Sequence, residues 1–298
     1  MQPENLTLQI FHHQQWHDAA ELSFDASFVC THLDYLNDYA FCQDENGDFL
    51  CWEKDDSYAL GLNYPVNIMG YQNQPFTLLD DIIPAGASRR YWVQHLGIAR
   101  QPENQQNYTL LQRGTIAPIG NVRIKQAVPH EAATRLAMES VYSLLERGAG
   151  SYLNHGETLR AIVRKIQHSH LVQAQGFQLD AGAWISQWLQ RDLLNIAFGN
   201  SDNHGRNTAF IRRAGSIEFA PVYDFAPMKA DPEGIIRSTT WGAPLENGGE
   251  YDFSAIAQSF ADLADPDALL AELQSTAEKL LDLKHRLHQR GVPSRILE

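Results

Sequence analysis

One polar stretch decides how this chain is interpreted: Phe198-Gly-Asn-Ser-Asp-Asn-His-Gly-Arg-Asn-Thr-Ala-Phe210, followed by Pro221-Val-Tyr-Asp-Phe225. Before it, apolar residues recur at helical spacing over 184–197, and Asp180 is placed to cap that helix. Between the two parts, Ala214-Gly215 predicts the turn of a β-hairpin. The order helix, polar loop, hairpin and second polar segment predicts that both polar segments lie at the same end of a helical lobe.

Three side chains in these segments have the chemistry that phosphoryl transfer requires. Mg²⁺ takes oxygen ligands, usually one or two of them from protein, and the amide of Asn207 and the carboxylate of Asp224 are of that kind. Asp202, five residues before Asn207, is a carboxylate that can accept the proton of an attacking hydroxyl. Protein kinases use D-x-x-x-x-N and then a metal-binding Asp before Phe, as in Asp224-Phe225. The same residue types form turns, so a plain polar loop is the competing interpretation.

Two further residues of the loop have more than one interpretation. His204 is either a structural residue of the loop, which is the preferred role, or a metal ligand. Arg206 could pair with a phosphate or with a neighbouring carboxylate. These two positions are therefore candidates for contact with a bound cofactor, beside Asn207 and Asp224.

The rest of the chain changes its pattern near residue 129. Extended segments are expected at 6–11, 40–52, 62–66, 76–83 and 110–125, with a turn at 44–48 and a polar linker at 101–107. Helices are expected at 131–147, 158–172, 180–197 and from 265 to 287, the last with Asp265 and Pro266 at its start. The predicted fold class is α+β, with a β-rich N-terminal subdomain at 1–128 and a mainly helical lobe with one hairpin at 129–298.

Composition narrows the classes of function. The chain has 298 residues with 23 Lys and Arg against 36 Asp and Glu, a formal net charge of −13. Binding to nucleic acid needs a basic surface, so direct contact with DNA or RNA is not expected. The sequence has no signal-peptide core and no apolar run of about 20 residues, so no membrane partner is expected. Its cysteines, Cys30, Cys42 and Cys51, lack C-x-x-C spacing and are expected to be reduced thiols of a cytoplasmic protein.

Gly199-Asn-Ser-Asp-Asn-His-Gly-Arg-Asn-Thr-Ala-Phe210 with Ala220-Pro-Val-Tyr-Asp-Phe225 resembles the C-terminal lobe of the HipA-like serine/threonine kinases, most closely the branch with YjjJ-like proteins. This resemblance covers about residues 134–290. Leu79-Asp-Asp-Ile-Ile-Pro84 and Arg113-Gly-Thr-Ile116 are similar to the end of that family's N-terminal subdomain.

The resemblance implies a kinase-like helical lobe and an enzyme that uses Mg²⁺ and ATP to phosphorylate serine or threonine. It implies Asp202 as the catalytic residue, with Asn207 and Asp224 as Mg²⁺ ligands. The best-known member of the family is a toxin that acts on an aminoacyl-tRNA synthetase, and such toxins are commonly held by a small helix-turn-helix antitoxin. A protein substrate and an antitoxin partner are therefore implied here too.

The sequence departs from the family's pattern in the nucleotide-binding lobe. Five residues separate Lys125 from Glu131, where the family has a phosphate loop with its regulatory serine, a lysine strand and a hinge. The one candidate for the lysine strand is Val122-Arg-Ile-Lys125, with no suitable glycine loop before it, and a solvated strand end is the preferred interpretation. A shortened lobe predicts exposed apolar surface that self-association or a partner would cover.

Three classes of function remain open from the sequence. The first is the kinase, and the second is a catalytically degenerate kinase-fold protein that binds an antitoxin or another protein. The third is an unrelated metal-dependent hydrolase built on Asp202, His204 and Asp224. The pairs His12-His13, His168-x-His170 and His285-x-x-His288 lack partners at metal-binding spacing and are expected to have surface or capping roles.

Overall fold

The computed structural model describes residues 2–44, 46–53, 58–114, 120–125, 135–228, 231 and 234–297. The strands in this part of the chain are β1 (Leu6–His12), β2 (Gln15–Phe24), β3 (Cys30–Tyr35), β4 (Tyr71–Gln72), β5 (Val122–Ile124), β6 (Met138–Ser140), β7 (Leu153–Asn154), β8 (Ala209–Arg213), β9 (Ser216–Phe219), β10 (Thr239–Thr240), β11 (Glu246–Asn247) and β12 (Glu250–Tyr251). The helices are α1 (Asn37–Ala40), α2 (Leu50–Glu53), α3 (Gly86–His95), α4 (Glu103–Arg113), α5 (Val141–Leu144), α6 (His155–Gln167), α7 (His170–Gln173), α8 (Ala181–Phe198), α9 (Phe253–Gln258), α10 (Pro266–Glu278), α11 (Leu283–Gln289) and α12 (Ser294–Leu297), with a 3₁₀ helix at Thr77–Ile82. Helices and strands are mixed, as the sequence predicts.

Two compact units are interleaved along the sequence. Unit 1 contains Met1–Ala149, Ile166–Gln178 and Ala209–Glu218, and unit 2 contains Gly150–Lys165, Leu179–Thr208 and Phe219–Glu298. These units do not follow the predicted division at residue 128, because two later segments pack with the N-terminal one. The domain limits 1–128 and 129–298 themselves stay a prediction.

The larger sheet of unit 1 has the strand order β4-β3-β2-β1-β5, with neighbouring strands antiparallel. Leu8 and Ile10, two residues apart on β1, are fully buried together with Leu22 of β2 and Leu33 of β3. Gln9 and Phe11, which alternate with them along β1, are buried as well, so this part of the strand is covered on both faces; the strand predicted at 6–11 is confirmed. A second sheet has the order β6-β8-β9.

Several N-terminal segments predicted as strand or linker are helical. The linker expected at 101–107 lies mostly within α4, which starts after Pro102 and ends at Gly114 with a left-handed φ of 53°. Tyr108, Leu110 and Leu111 of α4 are buried. Because the opposite face of this helix is polar, its sequence has the composition of a linker, and that prediction was wrong.

Other segments that were expected to be strands also have a different local structure. The segment 76–83 is largely the 3₁₀ helix, residues 62–66 form no strand, and α3 was not predicted. At 40–52, a single bridge from Gln43 to Phe49 closes the predicted turn, within which Asp44 bonds the backbone nitrogens of Asn46 and Asp48. Ala40 is the last residue of α1 and residues 50–52 lie in α2, so the described part of this segment contains no strand beyond that bridge.

The helix expected at 131–147 is wrong over the described part of that range, and residues 131–134 lie outside it. Met138 to Ser140 form β6, which pairs with β8 through Met138–Ile211 and Ser140–Ala209. Only Val141 to Leu144 are helical, started by the Ser140 hydroxyl, which accepts a hydrogen bond from the backbone nitrogen of Ser143. Pairing with a strand about 70 residues away outweighs the local helical period.

The helices of unit 2 follow the sequence more closely. α8 is confirmed, with Asp180 accepting from the nitrogen of Ala183 at its start and Gly199 in a left-handed conformation at its end. The hairpin of β8 and β9 is confirmed as well. α10 starts after Asp265 as predicted but ends at Glu278, and a separate α11 contains Leu287. The helix expected at 158–172 is likewise divided into α6 and α7.

Two expectations from composition can be compared with this structure. Cys30, Cys42 and Cys51 are all free thiols, and burial raises the pKa of Cys30 to about 12. Within the described ranges, no helix is both long enough and apolar enough to cross a membrane.

Candidate active site

The polar loop of unit 2 starts where α8 ends. Gly199 has a φ of +66°, a conformation that glycine adopts without steric cost, and its nitrogen bonds the last turn of the helix. Asn200 continues this cap, since its backbone nitrogen bonds the Asn195 carbonyl at 2.8 Å and its amide bonds the Asn195 side chain at 2.9 Å. The loop therefore leaves the helix in one defined direction.

Asp202 and Asn207 are joined directly within this loop. The Nδ2 of Asn207 donates to the main-chain oxygen of Asp202 at 2.8 Å. The backbone nitrogen of Asn207 donates to the His204 carbonyl at 2.9 Å, and that of Asp202 donates to the Asn200 side chain at 3.2 Å. Since the amide nitrogen of Asn207 is committed to the loop, its amide oxygen is the atom left to bind a cation.

His204 lies beside the carboxylate of Asp202. Its Nδ1 accepts from the backbone nitrogen of Arg206 at 3.3 Å, so in the neutral ring the proton is on Nε2, which lies 3.4 Å from Oδ1 of Asp202. Burial lowers the pKa of His204 below its ordinary value, with Arg206 acting in the same direction and Asp202 and Asp224 opposing it. The imidazole is therefore neutral near pH 7 and directs its N–H toward Asp202. Both roles considered for His204, structural residue of the loop and ligand, stay predictions.

Asp224 is held next to the loop by its two neighbours in sequence. The hydroxyl of Tyr223 donates to the main-chain oxygen of Arg206. The ring of Phe225 lies edge-on to that of Phe198 with centroids 5.4 Å apart. Asp224 itself has a left-handed φ of 52° and is close enough to His204 for its charge to affect the pKa of that ring. The hairpin thus returns Asp224 to the loop, as the sequence analysis expects.

The donor set of the loop suits a divalent cation that binds oxygen. Asn207 offers an amide oxygen and Asp224 a carboxylate, and neither side chain is fully buried. Among the described residues, no group of three or more His, Cys, Asp or Glu side chains has the geometry to hold a metal. A two-ligand Mg²⁺ site made by Asn207 and Asp224 is smaller than the groups to which this finding applies.

The candidate lysine strand lies in unit 1. Lys125 follows β5, and its Nζ forms an ion pair with Asp18, with about half of the lysine side chain exposed to solvent. Burial alone raises the pKa of Asp18, but the hydrogen bonds from Lys125 and Gln9 outweigh it and hold this pKa below its usual value. These contacts agree with the interpretation of Lys125 as a solvated strand end.

A buried polar cluster beside the loop was not predicted from the sequence. Asp192 on α8 is 1% exposed and contacts Arg237 and Trp241, two residues to which the sequence analysis assigned no chemistry. His155 at the start of α6 lies 3.4 Å from Asp192. The one signal in the sequence is a carboxylate on the helix face that also contains Trp188 and Leu189, since an acid is rarely buried without a partner.

A family model described as the HipA-like C-terminal domain matches residues 122–283, more than half of the chain. The chain belongs to this family. The HipA-like resemblance seen in the sequence is thereby confirmed. The chain is also similar to a solved structure from Shewanella oneidensis MR-1, described as the toxin–antitoxin system HipA, HipB and its operator DNA complex. The two share 14% identity over 92% of this chain and 88% of that chain, with a TM-score of 0.49. No curated protein matches the sequence significantly.

Proposed function

We propose that this HipA-like chain is a serine/threonine protein kinase that transfers a phosphoryl group from Mg²⁺-bound ATP to a hydroxyl of a protein. The observation that carries the proposal is the closed loop of Asp202 and Asn207, with Asp224 held against it through Tyr223 and Phe225. Membership of the HipA-like family supports the same assignment. An ordinary turn does not need two carboxylates and an amide gathered around a neutral histidine.

Each residue has a separate task in this reaction. The carboxylate of Asp202 accepts the proton of the attacking serine or threonine hydroxyl, and the Nε2–H of His204 holds that carboxylate in place. The oxygens of Asn207 and Asp224 would hold Mg²⁺, which when bound would supply positive charge against the phosphates of the nucleotide. Arg206 is placed beside this group and is the residue we assign to a phosphate of the nucleotide.

A second candidate function is favoured by one specific contact. The ion pair of Lys125 with Asp18 engages the only lysine that the sequence offers for a nucleotide strand, and no phosphate loop precedes it. A catalytically degenerate kinase-fold protein that binds an antitoxin or another protein would need neither element. In this alternative the protein retains the loop that contains Asp202 but catalyses no phosphoryl transfer.

The partners that we propose follow from the family. A small helix-turn-helix antitoxin is proposed as the binding partner, and a protein, such as an aminoacyl-tRNA synthetase, as the substrate. The excess of 36 acidic over 23 basic residues disfavours direct binding to nucleic acid by this chain alone. Any contact of the assembly with DNA would then be made by the partner.

Titration calorimetry of Mg·ATP into the purified chain tests the proposal. The matched variants are Asp224→Ala and Asp262→Asn, the second at an exposed carboxylate of the same unit that pairs with Arg160. The kinase predicts micromolar affinity that Asp224→Ala abolishes and Asp262→Asn leaves unchanged. Absence of binding up to millimolar nucleotide would reject the kinase and leave the binding protein. Binding without transfer to any serine or threonine would also select the second candidate.

A further inference from the structure

The loop that contains Asp202 lies on a second segment of unit 2, residues 235–241. The hydroxyl of Ser201 donates to the Ile235 carbonyl at 2.5 Å, and the Nδ2 of Asn203 donates to the Thr239 carbonyl at 3.1 Å. These two contacts are on either side of Asp202 in the sequence. The position of Asp202 therefore depends on where the 235–241 segment is held.

Arg237 holds that segment against α8. One of its terminal nitrogens, Nη2, donates to Oδ1 of Asp192 at 2.7 Å, and the other, Nη1, donates to the hydroxyl of Tyr251 at 3.0 Å. The side chains of Arg237 and Asp192 are 15% and 1% exposed. A forked guanidinium can reach both partners at once, and the buried setting strengthens each contact relative to a surface ion pair.

Arg237 is the permanently charged cation that pairs with the buried carboxylate of Asp192. The indole nitrogen of Trp188 donates to Nδ1 of His155 at 2.8 Å, and Nε2 of His155 lies 3.4 Å from Oδ1 of Asp192. The indole nitrogen of Trp241 donates to Oδ2 of Asp192 at 2.8 Å. Burial alone raises the pKa of Asp192, but His155, Arg237 and Trp241 outweigh it and keep this pKa below its usual value.

The cluster and the loop line the same small cavity. A cavity of about 20 Å³ is lined both by His155 and Asp192 and by the loop residues Asn203 and His204. A void of this size holds at most a water molecule. The contact between the cluster and the loop runs through Thr239, whose carbonyl accepts from Nη2 of Arg237 at 3.5 Å and from Nδ2 of Asn203 at 3.1 Å.

We infer that Arg237 is a positioning residue for Asp202. Its fork ties the 235–241 segment to α8 and to Tyr251, and this segment in turn fixes the loop through Ser201 and Asn203. The expected effect of Arg237 on the rate of phosphoryl transfer rests on the proposed function. Its expected effect on the conformation of the loop rests on the contacts alone. Arg237 touches neither Asn207 nor Asp224 and is not itself a catalytic residue.

Hydrogen exchange measured by mass spectrometry in the nucleotide-free protein tests the inference without relying on catalysis. The variant is Arg237→Gln, and the control is Arg160→Gln, which breaks the exposed pair with Asp262 in the same unit. We expect amides of 200–207 to exchange about tenfold faster in Arg237→Gln, with those of α10 unchanged. The control is expected to leave the loop unchanged. Should Arg237→Gln fail to fold, the pair Asp192→Asn with Arg237→Gln avoids an unbalanced buried charge and carries the same expectation.

Loop exchange at the wild-type rate in either folded variant would overturn the inference, as would equal acceleration throughout unit 2. If the chain is a kinase, Arg237→Gln is expected to lower the rate of transfer about tenfold or more while the affinity for Mg·ATP changes less than about threefold. A wild-type protein without Mg·ATP binding would reject the proposed function and leave the exchange result valid. An equal loss of affinity and rate would assign Arg237 to nucleotide binding and reject the positioning role.

Discussion

The side-chain amide of Asn207 donates to the main-chain oxygen of Asp202, five residues earlier, and so closes the loop at the end of α8. The bond joins the residue assigned as the base to a residue assigned as a metal ligand. In the proposed function, one amide would thus have two tasks: its nitrogen closes the loop, and its oxygen would bind the cation. Substitutions that keep one of these atoms can separate the two tasks.

Asn207→Asp and Asn207→Ala form such a pair. The Asp variant keeps an oxygen ligand but loses the donor to Asp202, so it should cost about 1–2 kcal/mol in the free energy of unfolding and still bind Mg·ATP. The Ala variant should lose both the hydrogen bond to Asp202 and the binding of Mg·ATP. Denaturant unfolding and calorimetry measure the two properties. Equal loss of nucleotide binding in both variants would contradict this division of tasks.

Gly199→Ala and Gly156→Ala test the conformation that directs the loop. Gly199 has a φ of +66° and no atom within 4 Å of the Cβ that alanine would add. Any loss of stability in Gly199→Ala would therefore come from backbone strain and not from a steric clash. We expect a loss of about 1 kcal/mol there. Gly156 lies inside α6, where alanine should be neutral or stabilising by up to about 1 kcal/mol. Thermal unfolding compares the two variants. Equal unfolding midpoints would show that the left-handed conformation at residue 199 does not require glycine.

Lys125→Ala is expected to have little effect on nucleotide binding. The pair with Asp18 is exposed on both sides, and exposed pairs contribute about 0–1 kcal/mol to stability. The affinity for Mg·ATP should therefore equal that of the wild-type protein in calorimetry. A tenfold weaker affinity would instead make Lys125 the nucleotide lysine that the sequence analysis set aside.

Acid should destabilise unit 1 through His12. Its ring stacks on that of His17 with centroids 3.8 Å apart, and no hydrogen bond to its nitrogens is found within the described residues. Burial, then His17, His13 and Arg212, lower the pKa of His12 from 6.5 to about 3. Since the unfolded chain binds the proton more readily, this stability is present above pH 6.5 and is lost progressively as the pH falls toward 3.

His12→Leu removes the titrating ring and isolates this contribution. Between pH 7 and pH 5 the variant should lose less unfolding free energy than the wild-type protein, by about 1 kcal/mol after allowance for partial exposure of the ring. Urea unfolding at the two pH values gives the difference. If the two proteins lose the same amount of unfolding free energy between pH 7 and pH 5, the acid sensitivity belongs to groups other than His12.

The elements that sequence predicted well are those specified by nearby residues. α8 has its apolar stripe, its Asp180 cap and its Gly199 stop within one continuous segment, and the loop residues Asp202 and Asn207 follow directly. β6 was missed because its backbone bonds go to β8, far along the chain. α4 was missed because only three of its residues are buried.

The buried cluster at the candidate site could not be predicted either, because its residues are far apart in the sequence. Asp192 is 37 residues from His155 and 45 and 49 residues from Arg237 and Trp241, so no local spacing brings them together. The loop could be proposed from a motif, whereas the group that supports it could be found only from the structure. Asp224 is intermediate, since the short hairpin predicts its return.

The interleaving of the two units has a consequence for how the protein is synthesised. The segments Ile166–Gln178 and Ala209–Glu218 pack with residues that leave the ribosome first, whereas Asp224 and Arg237 are added after them. A nascent chain that has completed only the first 218 residues therefore contains all three segments of unit 1 and the Asp202 loop, but neither Asp224 nor the arginine anchor of the loop. Assembly of the loop with those two residues must wait for the last quarter of translation, so the candidate site is completed only after the whole of unit 1 has been synthesised.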